Sequence, residues 1–144
     1  MWSRVGIFVV MLAVFLSLGM GRLDQNGKPG EIPIPDKDIS VTLTDKEGVT
    51  ITLNQFSLYG QTALSGKLGA GRVTIPFSQV RLITFSNGTK GVTAKIDLSD
   101  QSQITLQLEK GLMVTGRIKM GTYQVSLEKL MRIEILSVSE KKSP

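Results

Sequence analysis

The chain has 144 residues, with 17 Lys and Arg against 12 Asp and Glu, which gives a formal net charge of +5. It contains no histidine and no cysteine, so Ser-His-Asp and Cys-His catalytic groups, the usual zinc sites and structural disulfides are excluded. The positive charges are scattered along the chain, so we expect no nucleic-acid partner. We also expect no cofactor and no enzymatic activity.

Residues 1–21 have the pattern of a secretory signal peptide. Arg4 gives a positively charged start, and residues 5–20 follow without a charge. Gly19 and Gly21 have the spacing of a cleavage site, but residues 5–20 would also span about 24 Å as an uncleaved helical anchor. Both alternatives place the rest of the chain in the periplasm or outside the cell, and the second anchors it in the inner membrane.

Residues 22–38 form a predicted linker. Three prolines and two glycines among alternating charges disfavour both a helix and a central strand there. At the other end, residues 139–144 are predicted to be a frayed tail.

Residues 39–138 are predicted to be an all-β domain. Apolar residues alternate with polar ones at Val41 and Leu43 and again from Val49 to Leu53, with an acidic turn between these runs. No later stretch has a convincing helical period. The remaining predicted strands are 64–68, 72–75, 81–85, 92–98, 104–108, 113–118, 123–127 and 132–138.

The second half of this domain repeats the first. An offset of 50 residues lays Gly66 on Gly116, Gly71 on Gly121 and Ile83 on Ile133. Upstream, Val41-x-Leu43-x-Asp45 matches Ile96-x-Leu98-x-Asp100. The pattern predicts two duplicated units of about 45 residues, 39–86 and 92–138, and units of that size bury too little surface to fold alone. We therefore expect one shared core, in a small β-barrel or a β-sandwich.

The string Gly-x-x-x-Ile-Pro-x-x-x-Val-x-x-Ile, from Gly71 to Ile83, resembles the last two strands of SH3-like small barrels. The resemblance implies a 3₁₀ turn at residues 76–79, and it adds tandem SH3-like barrels to the candidate architectures. The equivalent turn in the second unit is at residues 126–129, where Ser126 is the predicted cap. The aromatic residues that peptide-binding SH3 domains use are not evident, so no ligand follows from the resemblance.

One segment differs between the two units. Residues 54–60 form an insertion that the second unit lacks, and it carries Phe56, Leu58 and Tyr59. An amphipathic loop that is unique to one copy predicts an interaction site for a protein partner or for self-association. The alternative is a lid over one end of the barrel. Phe77, Phe85 and Tyr123 match apolar positions in the partner unit, so we expect them in the core.

Charged residues suggest a second candidate site. Lys67 and Arg72 flank the first glycine turn, and Arg117 and Lys119 precede the second. Two such clusters facing each other would bind an anionic envelope component, such as a glycan, a phosphate or a lipid head group. The competing interpretation is that these are ordinary solvated charges on strand edges.

Paired carboxylates also occur, at Asp45 with Glu47 and at Asp97 with Asp100, and we expect them to form turns rather than to bind a metal. Together these patterns predict an exported, non-enzymatic β-rich protein with an interaction or assembly role in the bacterial envelope.

Overall fold

The computed structural model describes residues 32–140, so the predicted signal peptide or anchor, most of the linker and residues 141–144 lie outside the described part of the chain. The all-β prediction is confirmed. The strands are β1 (Lys37–Asp45), β2 (Thr50–Leu58), β3 (Ala63–Leu68), β4 (Gly71–Pro76), β5 (Val80–Gly88), β6 (Gly91–Leu98), β7 (Gln103–Leu108), β8 (Met113–Ile118), β9 (Gly121–Ser126) and β10 (Leu130–Glu140).

The strands form a single antiparallel sheet of ten, in the order β4-β3-β7-β6-β5-β10-β1-β2-β8-β9. Of the predicted architectures, a closed barrel is not present in residues 32–140, because β4 and β9 are the two ends of this sheet and do not pair with each other. The linker also ends earlier than predicted. Strand β1 begins at Lys37, and Ile32 and Pro35, which precede it, are already buried.

The sheet order has an internal symmetry. The strands can be exchanged in pairs that lie five places apart along the chain, β1 with β6, β2 with β7 and so on. The sheet order is then the same, read from the other end. Ile83 of β5 pairs with Ile133 of β10, and their neighbours Thr84 and Leu82 pair with Arg132 and Glu134. Residues 82 and 132 are 50 apart, and so are residues 84 and 134, so an offset of 50 turns each of these two pairs into the other. The centre of the symmetry therefore lies at the Ile83–Ile133 pair.

This symmetry corrects one detail of the sequence comparison. Leu43 pairs with Ile133, whereas Ile83 pairs with Ile96 rather than with Leu98. By strand pairing, the residue in the place of Leu43 is Ile96, whereas the spacing of the apolar residues matched Leu43 with Leu98. Alternation alone permits a slip of two residues, because such a slip keeps every side chain on its face of the sheet.

The chain crosses between two five-stranded halves. The outer-chain half contains β10, β1, β2, β8 and β9, from residues 37–58 and 113–140, and the inner-chain half contains β5, β6, β7, β3 and β4, from residues 63–108. A first crossover, residues 59–62, joins β2 to β3, and a second crossover, residues 109–112, joins β7 to β8. Consequently, each sequence unit contributes strands to both halves.

A 3₁₀ turn precedes the last strand of each sequence unit, as predicted. The first spans Phe77–Gln79 and the second Leu127–Lys129. The prediction that Ser126 caps the second turn is wrong, because its side chain makes no capping hydrogen bond. The crossovers hold these turns instead: the Phe77 N–H donates to the Thr62 carbonyl oxygen at 3.1 Å, and the Leu127 N–H donates to that of Leu112 at 2.8 Å.

Candidate functional site

The predicted interaction loop at residues 54–60 is mostly a strand. Strand β2 continues to Leu58 through a bulge, where Gln55 has a φ of 51° and the register with β8 shifts between Asn54 and Ser57. A bulge absorbs extra residues without ending the strand pairing. The insertion therefore lengthens β2 along β8 and does not form a loop.

This path places Phe56 in the core, which corrects its predicted role. The Phe56 side chain is 0% exposed, and its ring lies edge-on to the ring of Phe77, with centroids 5.0 Å apart and an interplanar angle of 66°. Such a T-shaped pair is a favourable aromatic contact. A side chain without solvent exposure cannot contact a partner, so Phe56 stabilises the fold.

Tyr59 lies at the surface. Its side chain is 61% exposed, whereas that of Leu58 is only 8% exposed. The backbone at Tyr59 is left-handed, with a φ of 47°. The turn around it is fixed by two backbone hydrogen bonds between Leu58 and Gln61, of 2.9 and 3.0 Å. Tyr59 is thus an exposed aromatic residue on a well-defined turn.

A buried polar pair supports the same turn. The hydroxyl groups of Ser57 and Thr115 share a hydrogen bond of 3.1 Å, and both residues are fully buried. The Ser57 oxygen also accepts a hydrogen bond of 2.8 Å from the Gly60 N–H. Because an unsatisfied buried polar group is costly, these bonds favour one arrangement of the first crossover.

Two depressions lie between the two crossovers, and together we call them the crossover groove. One, of about 300 Å³, is lined by Leu58, Gln61, Ala63, Ser65, Arg72, Thr74, Glu109 and Leu112. The other, of about 320 Å³, is lined by Leu58, Tyr59, Gly111, Leu112 and Met113. Leu58 and Leu112 belong to both. The groove therefore has an apolar part beside Tyr59 and a polar part that ends at Arg72 and Glu109.

The four predicted basic residues do not form one cluster in the sheet. Lys67 and Arg72 face each other on the β3–β4 hairpin, while Arg117 lies on β8 and Lys119 in the turn that follows it. Six strands stand between β3 and β8 in the sheet order. Arg72 also has a partner, since its guanidinium is 3.0 Å from the Glu109 carboxylate. Sheet pairing thus gives no support to a single anion site shared by these residues.

The carboxylates at Asp45 and Asp100 form turns, as predicted, but Asp97 does not: it lies on β6, with its carboxylate 3.4 Å from the Arg81 guanidinium. An Asp45 carboxylate oxygen accepts hydrogen bonds from the N–H groups of Glu47 and Val49, at 2.9 and 3.0 Å. Hydrogen bonds from the hydroxyl and the N–H of Ser102 hold the pKa of Asp100 below its ordinary value of 3.8. Within residues 32–140, no three Asp, Glu, His or Cys side chains gather as a metal site would require.

Tyr123 is half-buried on β9, close to the first acidic turn. Burial, and to a smaller degree the charges of Asp45 and Glu47, raise the pKa of its phenol above the ordinary value of 10.0. Tyr123 was predicted to lie in the core, and it is instead partly buried and packs against the core. The neutral phenol is therefore the form that the folded protein favours.

Residues of the second crossover were not predicted as part of a site. Glu109, Gly111 and Leu112 reach the groove only because the chain exchanges strands between the two halves. The one available signal in the sequence was the pair of connections at equivalent places in the two units. The sequence does not show which strands pair, so it could not be predicted that the two connections lie side by side.

We compared the chain with known protein families, curated proteins and solved structures. No curated protein and no solved structure matches the chain significantly. In residues 32–140 there is also no helix with the length and hydrophobicity of a membrane span. A family model described as "Uncharacterised protein" matches residues 35–142, which is more than half of the chain and includes all ten strands. The chain belongs to this family.

Proposed function

We propose that this chain is an exported, non-enzymatic module of the bacterial envelope, which holds a protein partner or a second copy of itself at the crossover groove. The observation that carries the proposal is the position of Tyr59, an exposed aromatic side chain beside the depression formed with Leu58, Leu112 and Met113. Aromatic residues next to partly buried apolar pockets are enriched among the residues that dominate protein interfaces.

The hydrogen bonds around Tyr59 support this function. Backbone hydrogen bonds close the turn, and the buried Ser57–Thr115 pair fixes the strand that precedes it. A tyrosine side chain has only two rotatable bonds and loses little conformational entropy when it is bound, so more of its contact energy remains as affinity. The ion pair of Arg72 with Glu109 adds a polar end to the groove that would give a partner its orientation.

Export is part of the proposal and rests on the sequence of residues 1–21. A cleaved segment would release the domain into the periplasm or the medium, and an uncleaved one would hold it at the outer face of the inner membrane. Mass spectrometry of the protein isolated from cells decides between the two. A peptide that begins near Arg22 indicates cleavage, and one that begins at residue 1 or 2 indicates an anchor.

The origin of the domain by duplication is also part of the proposal. The symmetric sheet order and the equivalent Ile83–Ile133 pair support it, as do the two 3₁₀ turns that lie 50 residues apart. On this view a unit of about 45 residues first paired with a second copy of itself, and fusion then left one copy free to acquire the β2 insertion.

Substitution of Tyr59 tests the function. Tyr59→Asn removes the ring, and asparagine tolerates the left-handed backbone at that position. Met120→Gln is the matched control, because Met120 is 89% exposed and lies in the distant β8–β9 turn. We expect Tyr59→Asn to reduce partner recovery or self-association at least about tenfold, as for an interface residue worth more than about 1.4 kcal/mol.

The measurement is crosslinking of the full chain in intact envelopes with quantification of the crosslinked species, together with sedimentation of the purified chain to detect self-association. Thermal denaturation of both variants serves as the control for folding. Equal recovery with wild type and Tyr59→Asn would show that the groove is not the site of association.

A further inference from the structure

The symmetry of the sheet is broken between β3 and β7, where the strand pairing is incomplete. In the outer-chain half, β2 and β8 pair at Asn54↔Arg117, Ser57↔Thr115 and Leu58↔Val114. In the inner-chain half, the corresponding pairing of β7 with β3 has the single registered pair Gln107↔Lys67. This pair is the counterpart of Asn54↔Arg117, so the two that would follow it are missing.

The missing pairs leave one edge of β3 without a strand. Strand β7 ends at Leu108, one residue after its pair with β3, and the second crossover then carries the chain away. Residues 63–65 pair with β4 on their other side. Within the described part of the chain, the edge of β3 at residues 63–65 therefore has no registered strand partner on the side toward β7. An unpaired edge offers backbone N–H and carbonyl groups to an added strand.

This edge lies beside the crossover groove. Ala63 and Ser65 of β3 line the depression of about 300 Å³, opposite Leu112 of the second crossover, and Thr74 of β4 adds to the lining. The hydroxyl groups of Ser65 and Thr74 share a hydrogen bond of 2.6 Å. We call the edge of β3 at residues 63–65, together with this depression, the open strand position.

In the outer-chain half the equivalent position is filled by β2, and its residues indicate what an occupant of the open strand position would carry. There the lengthened β2 places Ser57 opposite Thr115 and Leu58 opposite Val114. The residues 50 positions before Thr115 and Val114 are Ser65 and Leu64. An occupant in the same arrangement would place a small hydroxyl residue opposite Ser65 and then an aliphatic residue opposite Leu64.

We propose that the open strand position binds an extended segment of a partner protein, containing a small hydroxyl residue followed by an aliphatic residue, as an antiparallel strand added to β3. This inference rests on the proposed function and names the kind of partner. A folded second copy cannot supply its own Ser57 and Leu58, because both are buried in that copy. That segment of a second copy is thus excluded, and the proposal commits to an accessible, extended segment of another protein.

Titration with a peptide tests the inference. The probe is the synthetic peptide Asn-Gln-Phe-Ser-Leu-Tyr-Gly, which repeats residues 54–60, added at up to about 1 mM to the ¹⁵N-labelled full chain in detergent micelles. We expect saturable changes in amide chemical shift at residues 63–65 and at Leu112. A peptide with proline in place of serine lacks one backbone donor and is expected to bind at least about tenfold more weakly.

A matched pair of variants locates the binding. Thr74→Arg puts a long, charged side chain into the lining of the open strand position, and Gln124→Arg puts the same side chain at the counterpart residue, which is exposed on β9. We expect a loss of affinity of at least about tenfold in Thr74→Arg and wild-type affinity in Gln124→Arg. Their amide spectra without peptide show whether each variant is folded.

Absence of binding, equal affinity in Thr74→Arg and wild type, or shift changes centred away from β3 would each overturn the inference. The proposed function fails separately. If the peptide does not bind but Tyr59→Asn still reduces association in envelopes, the interaction function stands and only the open strand position is refuted. If the peptide binds β3 while Tyr59→Asn leaves association unchanged, the assignment of the partner to Tyr59 is refuted.

Discussion

Substitution of Phe56 separates a core role from an interaction role for the residues around the β2 bulge. Phe56 is fully buried and its ring meets that of Phe77 at 5.0 Å, whereas Tyr59, three residues later, is mostly exposed. Phe56→Ala should therefore destabilise the fold, while Tyr59→Asn should leave stability within about 0.5 kcal/mol of wild type.

The expected magnitude follows from the burial. Removing a fully buried phenylalanine costs about 3–5 kcal/mol, because apolar burial is lost and a cavity remains. The edge-to-face contact with Phe77 accounts for about 0.5–1.5 kcal/mol beyond area burial. A domain of this size is stabilised by about 5–15 kcal/mol in total, so Phe56→Ala should remove a large share of it.

Urea denaturation of the full chain, followed by far-ultraviolet circular dichroism, measures this loss. A double-mutant cycle with Phe77→Ala isolates the coupling of the two rings, which we expect at about 0.5–1.5 kcal/mol. A loss below about 1 kcal/mol in Phe56→Ala, or a larger loss in Tyr59→Asn, would refute the placement of Phe56 in the core.

Three further predictions concern the glycines, the buried hydroxyl groups and the half-buried tyrosine. Gly66→Ala should lower the free energy of unfolding by about 1–3 kcal/mol, and Gly116→Ala should lower it less. The reason is that an added Cβ would lie 2.8 Å from its nearest neighbour at Gly66 but 3.0 Å at Gly116. Equal losses in urea denaturation would contradict this order. Ser57→Ala should cost about 1–3 kcal/mol, and the loss on adding Thr115→Val should be smaller than for Thr115→Val alone, since the hydrogen-bond partner is already gone. The stabilising effect of the raised Tyr123 pKa is present below pH 10.0 and is lost as the pH rises through the folded-state pKa, so wild type should lose stability relative to Tyr123→Phe above that pH; parallel curves of melting temperature against pH would disprove it.

Local features of the fold could be predicted from the sequence because each depends on neighbouring residues. Alternating apolar residues predicted the strands, and Asp45 and Asp100 were placed in turns by their hydrogen bonds to nearby backbone. The Gly71–Ile83 string correctly predicted the first 3₁₀ turn. The offset of 50 residues made Ile83 and Ile133 equivalent positions, but it did not predict that the two residues pair.

The candidate site was predicted only in part, because it depends on strand pairing across the two halves. Phe56 and Tyr59 look alike in the sequence, yet the bulge at Gln55 turns the first into the core and leaves the second at the surface. Whether an aromatic residue is buried after a bulge is decided by the register with β8, and the sequence of β2 does not contain that register.

The sequence by itself determined an all-β domain, its turns and most of its core, since these follow from periodicity and local backbone chemistry. Only the tertiary structure decided that the chain crosses twice between five-stranded halves and that the crossovers meet in a groove beside Tyr59. The physical reason is that backbone N–H and carbonyl groups make the hydrogen bonds between strands, and these groups are nearly the same whatever side chains the strands carry. A strand therefore finds its partner through the packing of the whole core.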